Sequence, residues 1–346
     1  MQSLAGQRFE TFWSQVAPSN TSKKLAIVGS EQPQNFSCLR HKHLCHFISN
    51  AKDALREAKN LGFVISTLIN HYYDIIIVEL TKSKETNLGL LAIAEEYLCV
   101  GGKMIINGDN QVGVKSFLKN ISNIWPAEIT VIKKKGRIAL FQKKSQLFRH
   151  WKKYQDFNIN KDGYYTRCDM FSPKEVDKGS QKLTSAFSTK LFGEVADLGA
   201  GWGYLSKEAL RLNDKITRIT LFESNYSAYL ASKKNIADKR AIFRWASIEN
   251  IKNLKLRFNH VICNPPFHSG YPKDIGLLRS FIFYSSRLVH RQGSVWMVIV
   301  SGVYLERELK EYFESVKILY KDNHYFVCRL LKPKTKRNEY DLQFTE

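Results

Sequence analysis

Long apolar runs are missing from this chain of 346 residues. Nothing approaches the ~20 consecutive apolar residues that a membrane-spanning helix needs. The longest runs, Ile75-Ile76-Ile77-Val78 and Trp296-Met297-Val298-Ile299-Val300, read as buried strands. Residues 1–10 carry no apolar core behind a basic cap, so no secretory signal is expected, and the chain is expected to be cytoplasmic. Paired cysteines are absent too: the six cysteines form no Cys-x-x-Cys motif, which suits a reducing compartment. Cys38, His41, His43, Cys45 and His46 crowd together, but their order matches no zinc template. They are expected on a solvated helix whose face carries residues 38, 41 and 45, and no metal is expected. Acidic residues are the scarcer charge, 32 against 53 basic, for a net charge of +21.

With 44% hydrophobic residues the chain can bury real cores, which excludes a disordered basic tail, and its length suggests two domains. Residues 1–145 hold 19 basic and 11 acidic side chains, and the remainder 34 and 21. Both halves are therefore positive. Such a balance points to a polyanion, most commonly nucleic acid, because Lys and Arg on phosphates release counterions. A basic surface kept for solubility is the alternative that charge alone leaves open.

Two stretches of alternating strands and helices follow one another. The first has strands at 24–30 and 73–80, a helix from Leu88 to Val100 stopped by Gly101-Gly102, a strand at 103–107, a helix at 112–122 and a ribbon from 128 to 142. The second has strands at 194–198, 216–222, 241–245, 258–263 and 294–300, interleaved with helices, and a closing ribbon from 316 to 331. This alternation implies doubly wound, mostly parallel sheets. Aligning Asp74 with His260, Gly102 with Gly293 and the turn at Gly136 with that near Asn323 gives nearly constant offsets, so an internal duplication is expected.

The chemistry lies in the second stretch. Asp197-Leu-Gly-Ala-Gly-Trp-Gly203 joins a strand to a helix, and Gly199, Gly201 and Gly203 allow a tight turn and close approach of a ligand. Asp197 is placed to accept from a ligand amine or to brace the loop. Glu223 ends the next strand, where an acid suits a ribose diol. Together they describe an adenosyl ligand across the carboxyl ends of the strands, and no Gly-x-x-x-x-Gly-Lys-Ser/Thr phosphate loop is present. Asn264-Pro265-Pro266-Phe267 ends the fourth strand. Two prolines make a rigid shelf without backbone donors. The Asn264 side-chain oxygen and the Pro265 carbonyl can then grip both hydrogens of a conjugated planar amine, while Phe267 stacks on the flat substrate.

These motifs resemble class I S-adenosylmethionine-dependent methyltransferases that modify exocyclic amines. The longer string Asn264-Pro-Pro-Phe-His-Ser-Gly270, with Met170-Phe-Ser-Pro and Asp177-Lys-Gly-Ser-Gln181 upstream, is similar to the bacterial ribosomal RNA small subunit methyltransferase C family and its large-subunit relatives. The likeness covers residues from about 163 to 333. It implies two tandem Rossmann-like α/β domains, each with a seven-stranded, mostly parallel sheet. Residues 1–148 would be a degenerate copy serving RNA binding or scaffolding, and 149–346 the catalytic domain. It also implies S-adenosylmethionine held by Asp197, Gly199, Gly201, Gly203 and Glu223, and catalysis by Asn264, Pro265, Pro266 and Phe267. In the first copy Val28-Gly-Ser-Glu-Gln replaces the glycine loop and Val78-Glu-Leu-Thr replaces the amine motif. The chain departs from the family at Cys168-Asp169-Met170, where Pro-Gly is usual, and at Ala246-Ser247-Ile248, where Ser247 stands in for an adenine-binding Asp. His268 is expected to position or contact RNA, since a 2-amino group can release its proton to water.

The implied reaction is transfer of a methyl group to the 2-amino group of a guanine in 16S ribosomal RNA, within a small-subunit particle, with the base unpaired or flipped. Lys133-Lys-Lys135, Lys143-Lys144 and Arg149-His-Trp-Lys-Lys153 with Tyr154 are the candidate RNA contacts. Alternatives within the reaction class are large-subunit RNA, a protein glutamine amide and adenine. Outside it stands an RNA-binding assembly protein with a relict fold.

Overall fold

The computed structural model describes residues 3–18, 22–39, 43–253, 257–266, 272–301 and 306–334. Two compact units emerge, Met1–Asn158 with Arg167–Asp169, and Ile159–Thr166 with Met170–Glu346. The first runs α1 (Leu4–Val16), β1 (Lys24–Val28), β2 (Leu44–Ile48), α2 (Lys52–Asn60), β3 (Val64–Ser66), β4 (Tyr73–Glu79), α3 (Lys84–Tyr97), β5 (Leu98–Asp109), α4 (Val114–Ser122), β6 (Ile129–Lys133) and β7 (Gly136–Gln142). Two short strands, β8 (Asn158–Ile159) and β9 (Tyr165–Thr166), follow. The second runs α5 (Lys178–Phe187), β10 (Gly193–Leu198), α6 (Tyr204–Leu212), β11 (Ile216–Glu223), α7 (Tyr226–Asn235), β12 (Ala241–Trp245), β13 (Phe258–Cys263), α8 (Pro272–Leu288), β14 (Val289–Val300), α9 (Glu306–Tyr312), β15 (Phe313–Lys321) and β16 (Tyr325–Pro333).

The seven-stranded sheets are ordered β3-β2-β1-β4-β5-β7-β6 and β12-β11-β10-β13-β14-β16-β15, the same order twice, with only β7 and β16 running antiparallel to the rest. The expected duplication is therefore present in the fold. Its register differs by one residue from the sequence alignment. Leu25, Ile75 and Lys103 lie abreast in the first sheet as Val195, His260 and Ser294 do in the second, so Ile75, not Asp74, matches His260. Past Asp74 and His260 both segments run on as unbroken apolar stretches, so they carry no alternation to set the register. The shift places Glu79-Leu-Thr, not Val78-Glu-Leu, opposite Asn264-Pro-Pro. Helices cover both faces of the second sheet. Val195, Ile262, Trp296 and Val298 pack toward Leu183 and Phe187 of α5, while Val261, Cys263, Val295 and Met297 pack toward Leu278 and Ile282 of α8. The period of two along each strand makes that division.

Several local expectations change. Cys45 and His46 lie in β2, not on a helix, and Cys38 ends up in a short 3-10 turn, Pro33–Leu39; His41 falls outside the described residues. Cys45-His46-Phe47-Ile48 is buried, and pairing with β1 overrides the weak helical spacing. The third helix ends at Tyr97, before Gly101-Gly102, because Leu98 pairs with Tyr73 and opens β5. Its last carbonyls are capped by buried Lys143, whose Nζ donates to Glu95 O and Leu98 O at 2.6 and 2.7 Å. Lys143 is thus a structural cap rather than an RNA contact. Trp151 likewise stacks flat on buried Phe148, 4.7 Å between ring centres, and Lys152 pairs with Glu96. Exposed Lys133, Lys134 and Lys135 stay open to a partner.

Candidate active site

At the second sheet's centre, β10 and β13 are neighbours, yet the chain leaves β10 toward β11 and β12 on one side and returns to β13 and β14 on the other. The connections diverge there and open a crevice at the carboxyl ends of the strands, the usual ligand position in open α/β sheets. The described candidate residues sit at that rim: Asp197 inside the end of β10, the glycines after it, Glu223 at the end of β11, Ser247 just past β12, and Asn264 directly after β13. Phe267, with His268, Ser269 and Gly270, lies outside the described residues.

Left-handed backbone runs through the loop, with φ of +69° at Gly199, +56° at Gly201 and +93° at Gly203. A Cβ on Gly203 would stand 2.9 Å from Ile236 and one on Gly199 3.1 Å from Phe281, whereas one on Gly201 would meet no described residue within 4 Å. Gly201 thus faces the crevice, and the other two fit the loop against its helices. Glu223 ties the turn down. Its carboxylate accepts from Gly201 N at 2.7 Å and Asn225 N at 2.6 Å. Burial pushes its pKa up, while the N–H groups of Asn225, Gly201 and Ser224 hold it down.

Asp197 is fully buried and accepts from Ser206 Oγ at 2.6 Å through one oxygen, so it braces the loop onto α6. Its other oxygen has no hydrogen-bond partner among the described residues. Ser247, 1% exposed, also keeps a buried hydroxyl without a partner among them. Buried polar atoms are nearly always satisfied, so two orphans beside one crevice mark a place prepared for polar groups of a ligand.

Asn264 carries on the alternation that turns Ile262 toward α5. Its Nδ2 donates to Asp177 Oδ2 at 3.0 Å and to Ser180 Oγ at 2.8 Å. An amide's oxygen lies opposite its nitrogen, so Oδ1 turns away from α5. Pro265 is buried and Pro266 exposed, a shelf anchored on one side and open on the other.

The model of the methyltransferase small domain matches residues 163–329. Ribosomal RNA small subunit methyltransferase C of Haemophilus influenzae (strain PittGG) is 24% identical over 253 residues, 71% of this chain and 76% of that protein. That of Buchnera aphidicola subsp. Schizaphis graminum is 27% identical over 286 residues, 78% and 81% of the two chains. The T. thermophilus 16S rRNA N2 methyltransferase RsmC, solved with AdoMet and guanosine, superposes with a TM-score of 0.79 over 93% of this chain and 91% of that one, at 18% identity. The chain is thus similar to ribosomal RNA small subunit methyltransferase C proteins over most of its length, and both of its seven-stranded sheets match one known fold.

The first unit repeats the layout of the site with different residues. Gly29 keeps the positive φ of Gly199, but a Cβ there would lie 2.3 Å from Glu79 O. Arg8, 1% exposed, reaches the carboxyl ends of β5 and the β6–β7 turn, donating to Asn107 Oδ1 at 2.8 Å, Asp109 Oδ1 at 2.8 Å and Lys134 O at 3.0 Å. A buried guanidinium so well partnered is tolerated, and its charge lies near Glu79 at the end of β4. Two residues of the second unit escaped the sequence reading. Asp177 and Ser180 lie in the string that carries the family likeness, but nothing in their spacing linked them to Asn264, which is far along the chain. Only the packing of α5 beside β13 does so.

Burial raises two carboxyls to about 7, Asp197 in the second unit and Glu79 in the first; the charge of Glu223 adds to the first shift and that of Asp109 to the second. A carboxyl whose pKa is higher folded than unfolded stabilises the fold below its unfolded pKa, and this contribution is lost as pH rises through the folded value. The ligand-free chain should therefore unfold at progressively lower temperature from about pH 4 to pH 7 and level off above. Asp197→Asn, which keeps an acceptor for Ser206, should flatten the fall in the second unit's transition, and Glu79→Gln in the first unit's. Scanning calorimetry at pH 5, 6, 7 and 8 checks this. An unchanged slope in both variants would show that neither carboxyl titrates in this range.

Proposed function

We propose that the chain transfers the methyl group of S-adenosylmethionine to the exocyclic 2-amino group of a guanine in 16S ribosomal RNA. The observation that carries this reading is the orientation of Asn264. Its amide nitrogen is held by α5 and its oxygen is aimed away as an acceptor, on a proline shelf one strand from the glycine loop. The family relatives are named for small-subunit ribosomal RNA, and the similar T. thermophilus enzyme was solved with AdoMet and guanosine.

The crevice residues fit the cofactor. Gly201 supplies open space at the loop, Glu223 a carboxylate for a ribose diol, and Asp197 and Ser247 the orphan polar atoms. Bound S-adenosylmethionine supplies an activated methyl on sulfur, so no covalent intermediate with the protein is needed. The task left to the side chains is alignment. Asn264 Oδ1 and the Pro265 carbonyl accept the two amine hydrogens, hold the nitrogen toward the crevice and let its lone pair localise as the bond forms. Phe267 is assigned the stacking face for a base taken out of its helix. The amine proton leaves to water.

In this reading residues 149–346 form the catalytic domain and 1–148 a domain kept for RNA engagement within a small-subunit particle in the cytoplasm. Glu79 stands where Asn264 does in the second copy, with the Arg8 charge near it, which favours a role in binding over chemistry there, and the exposed Lys133–Lys135 turn offers phosphate contacts. Nucleoside mass spectrometry of 16S and 23S ribosomal RNA from cells lacking the gene tests the assignment. One N2-methylguanosine should vanish from 16S RNA and return with the gene. Full methylation of every such site in 16S RNA would overturn it, and a loss confined to 23S RNA would move the substrate to the large subunit.

A further inference from the structure

We infer that Asp177 and Ser180 are positioning residues that lock the Asn264 amide in its amine-accepting orientation; this rests on the functional reading above. An asparagine amide is nearly symmetric in shape, and a half-turn about its last bond exchanges oxygen for nitrogen. In the exchanged state Asn264 would present N–H donors to a substrate amine that itself offers donors, and methyl transfer would lose its grip. Something must therefore tell the two ends apart.

The first turn of α5 does so. Asp177 caps that helix, its Oδ2 accepting from Ser180 N at 2.8 Å, and the same oxygen accepts from Asn264 Nδ2. Ser180 Oγ is the second acceptor, at 2.8 Å. Both hydrogens of Nδ2 are thus engaged by oxygens of one helix turn. Exchange would turn Oδ1 against the Asp177 carboxylate, acceptor against acceptor, and lose that bond; the Ser180 hydroxyl can reverse and donate, so Asp177 tells the two ends apart while Ser180 holds the side chain in place. Ser180 is 8% exposed, so a lost partner there is not replaced by water at full value. The carboxylate is fixed in turn by the Tyr325 side chain. Gly179 makes room for that ring, since a Cβ there would stand 2.7 Å from Tyr325 Cε1 and 3.0 Å from Asp177 Oδ2. The cap of α5, Tyr325 and Asn264 form one chain of hydrogen bonds in which only the last member faces the crevice.

The inference predicts a kcat effect without a binding effect. Ser180→Ala should lower kcat about 10-fold while leaving KM for both substrates in place, the size seen when a partner that orients a site residue is removed. The decisive test is an exchange of roles. Asn264→Asp sets a carboxylate against Asp177 and should depress kcat at pH 8. Adding Asp177→Asn supplies an amide that donates to the new carboxylate, and the double variant should exceed N264D by about 10-fold, a coupling expected only of residues in direct contact. A purely capping Asp177 gives no such rescue, because asparagine caps a helix as well as aspartate in either background. A reading independent of the methyl acceptor comes from nuclear magnetic resonance of the Asn264 side-chain amide. Its protons should exchange slowly in the full chain and rapidly in Ser180→Ala. Exchange as fast as that of an exposed asparagine, or a double variant no more active than N264D, overturns the inference. If the amide is protected but guanine is not the acceptor, the functional reading falls and the clamp stands.

Discussion

Asn264→Ala should leave S-adenosylmethionine bound with unchanged affinity and lower kcat by about 10²–10³-fold, the loss seen when one preorganised polar group is removed from a reacting centre. The separation follows from the sheet. Asn264 ends β13, whereas the glycine loop, Glu223 and Ser247 belong to β10, β11 and β12. Removing the amide takes away an acceptor for the substrate amine but touches no candidate cofactor contact. It also leaves Asp177 and Ser180 without their shared donor, at a cost of about 1–3 kcal/mol in stability if no water replaces it. Calorimetric cofactor binding, measured beside single-turnover methylation of 16S RNA, separates lost chemistry from lost folding. Transfer at the wild-type rate would refute the role of Asn264. Loss of cofactor binding in step with activity would make it a structural residue.

How much of this was legible in the sequence depended on the kind of signal. Strand ends with special chemistry were readable, because Gly-x-Gly-x-Gly and Asn-Pro-Pro carry backbone requirements that few other contexts impose. The first unit was harder. The strands and helices between Leu44 and Ser66 and the helix at Leu4–Val16 carry no motif, and their identity comes from pairing and packing. Lys143 and Trp151 show the same limit for charge and aromatics. Both belong to stretches that read as RNA-facing, yet one caps α3 from inside and the other lies on Phe148. A basic residue announces its charge in the sequence, but its partner is set by the fold. The Asp177–Ser180–Asn264 contact is the extreme case, since its members are separated by more than eighty residues.

Glu223→Gln should do the reverse of Asn264→Ala, raising the Kd for S-adenosylmethionine about 100-fold with little change in kcat at saturation. The substitution is nearly isosteric, so packing is preserved and hydrogen bonding alone changes. Two of the backbone N–H groups that Glu223 receives sit on different oxygens, Gly201 N on Oε2 and Asn225 N on Oε1. Glutamine has one oxygen and one NH2 group, so one of those N–H groups must face a donor. Hydrogen bonds to a charged group contribute about 1.5–3 kcal/mol, and the upper part of that range corresponds to the expected loss. If the opposed N–H is that of Gly201, the open arc of the glycine loop loosens. If it is that of Asn225, the start of α7 does, since Asn225 caps that helix through Ala228 N. In either case the glutamine keeps only one acceptor for a ribose diol, so the cofactor loses a contact as well as its support. A Kd within threefold of wild type would show that Glu223 serves the fold rather than the ligand. An equal loss of kcat at saturation would show that the loop and the Asn264 shelf are not the separable parts that their places on different strands imply.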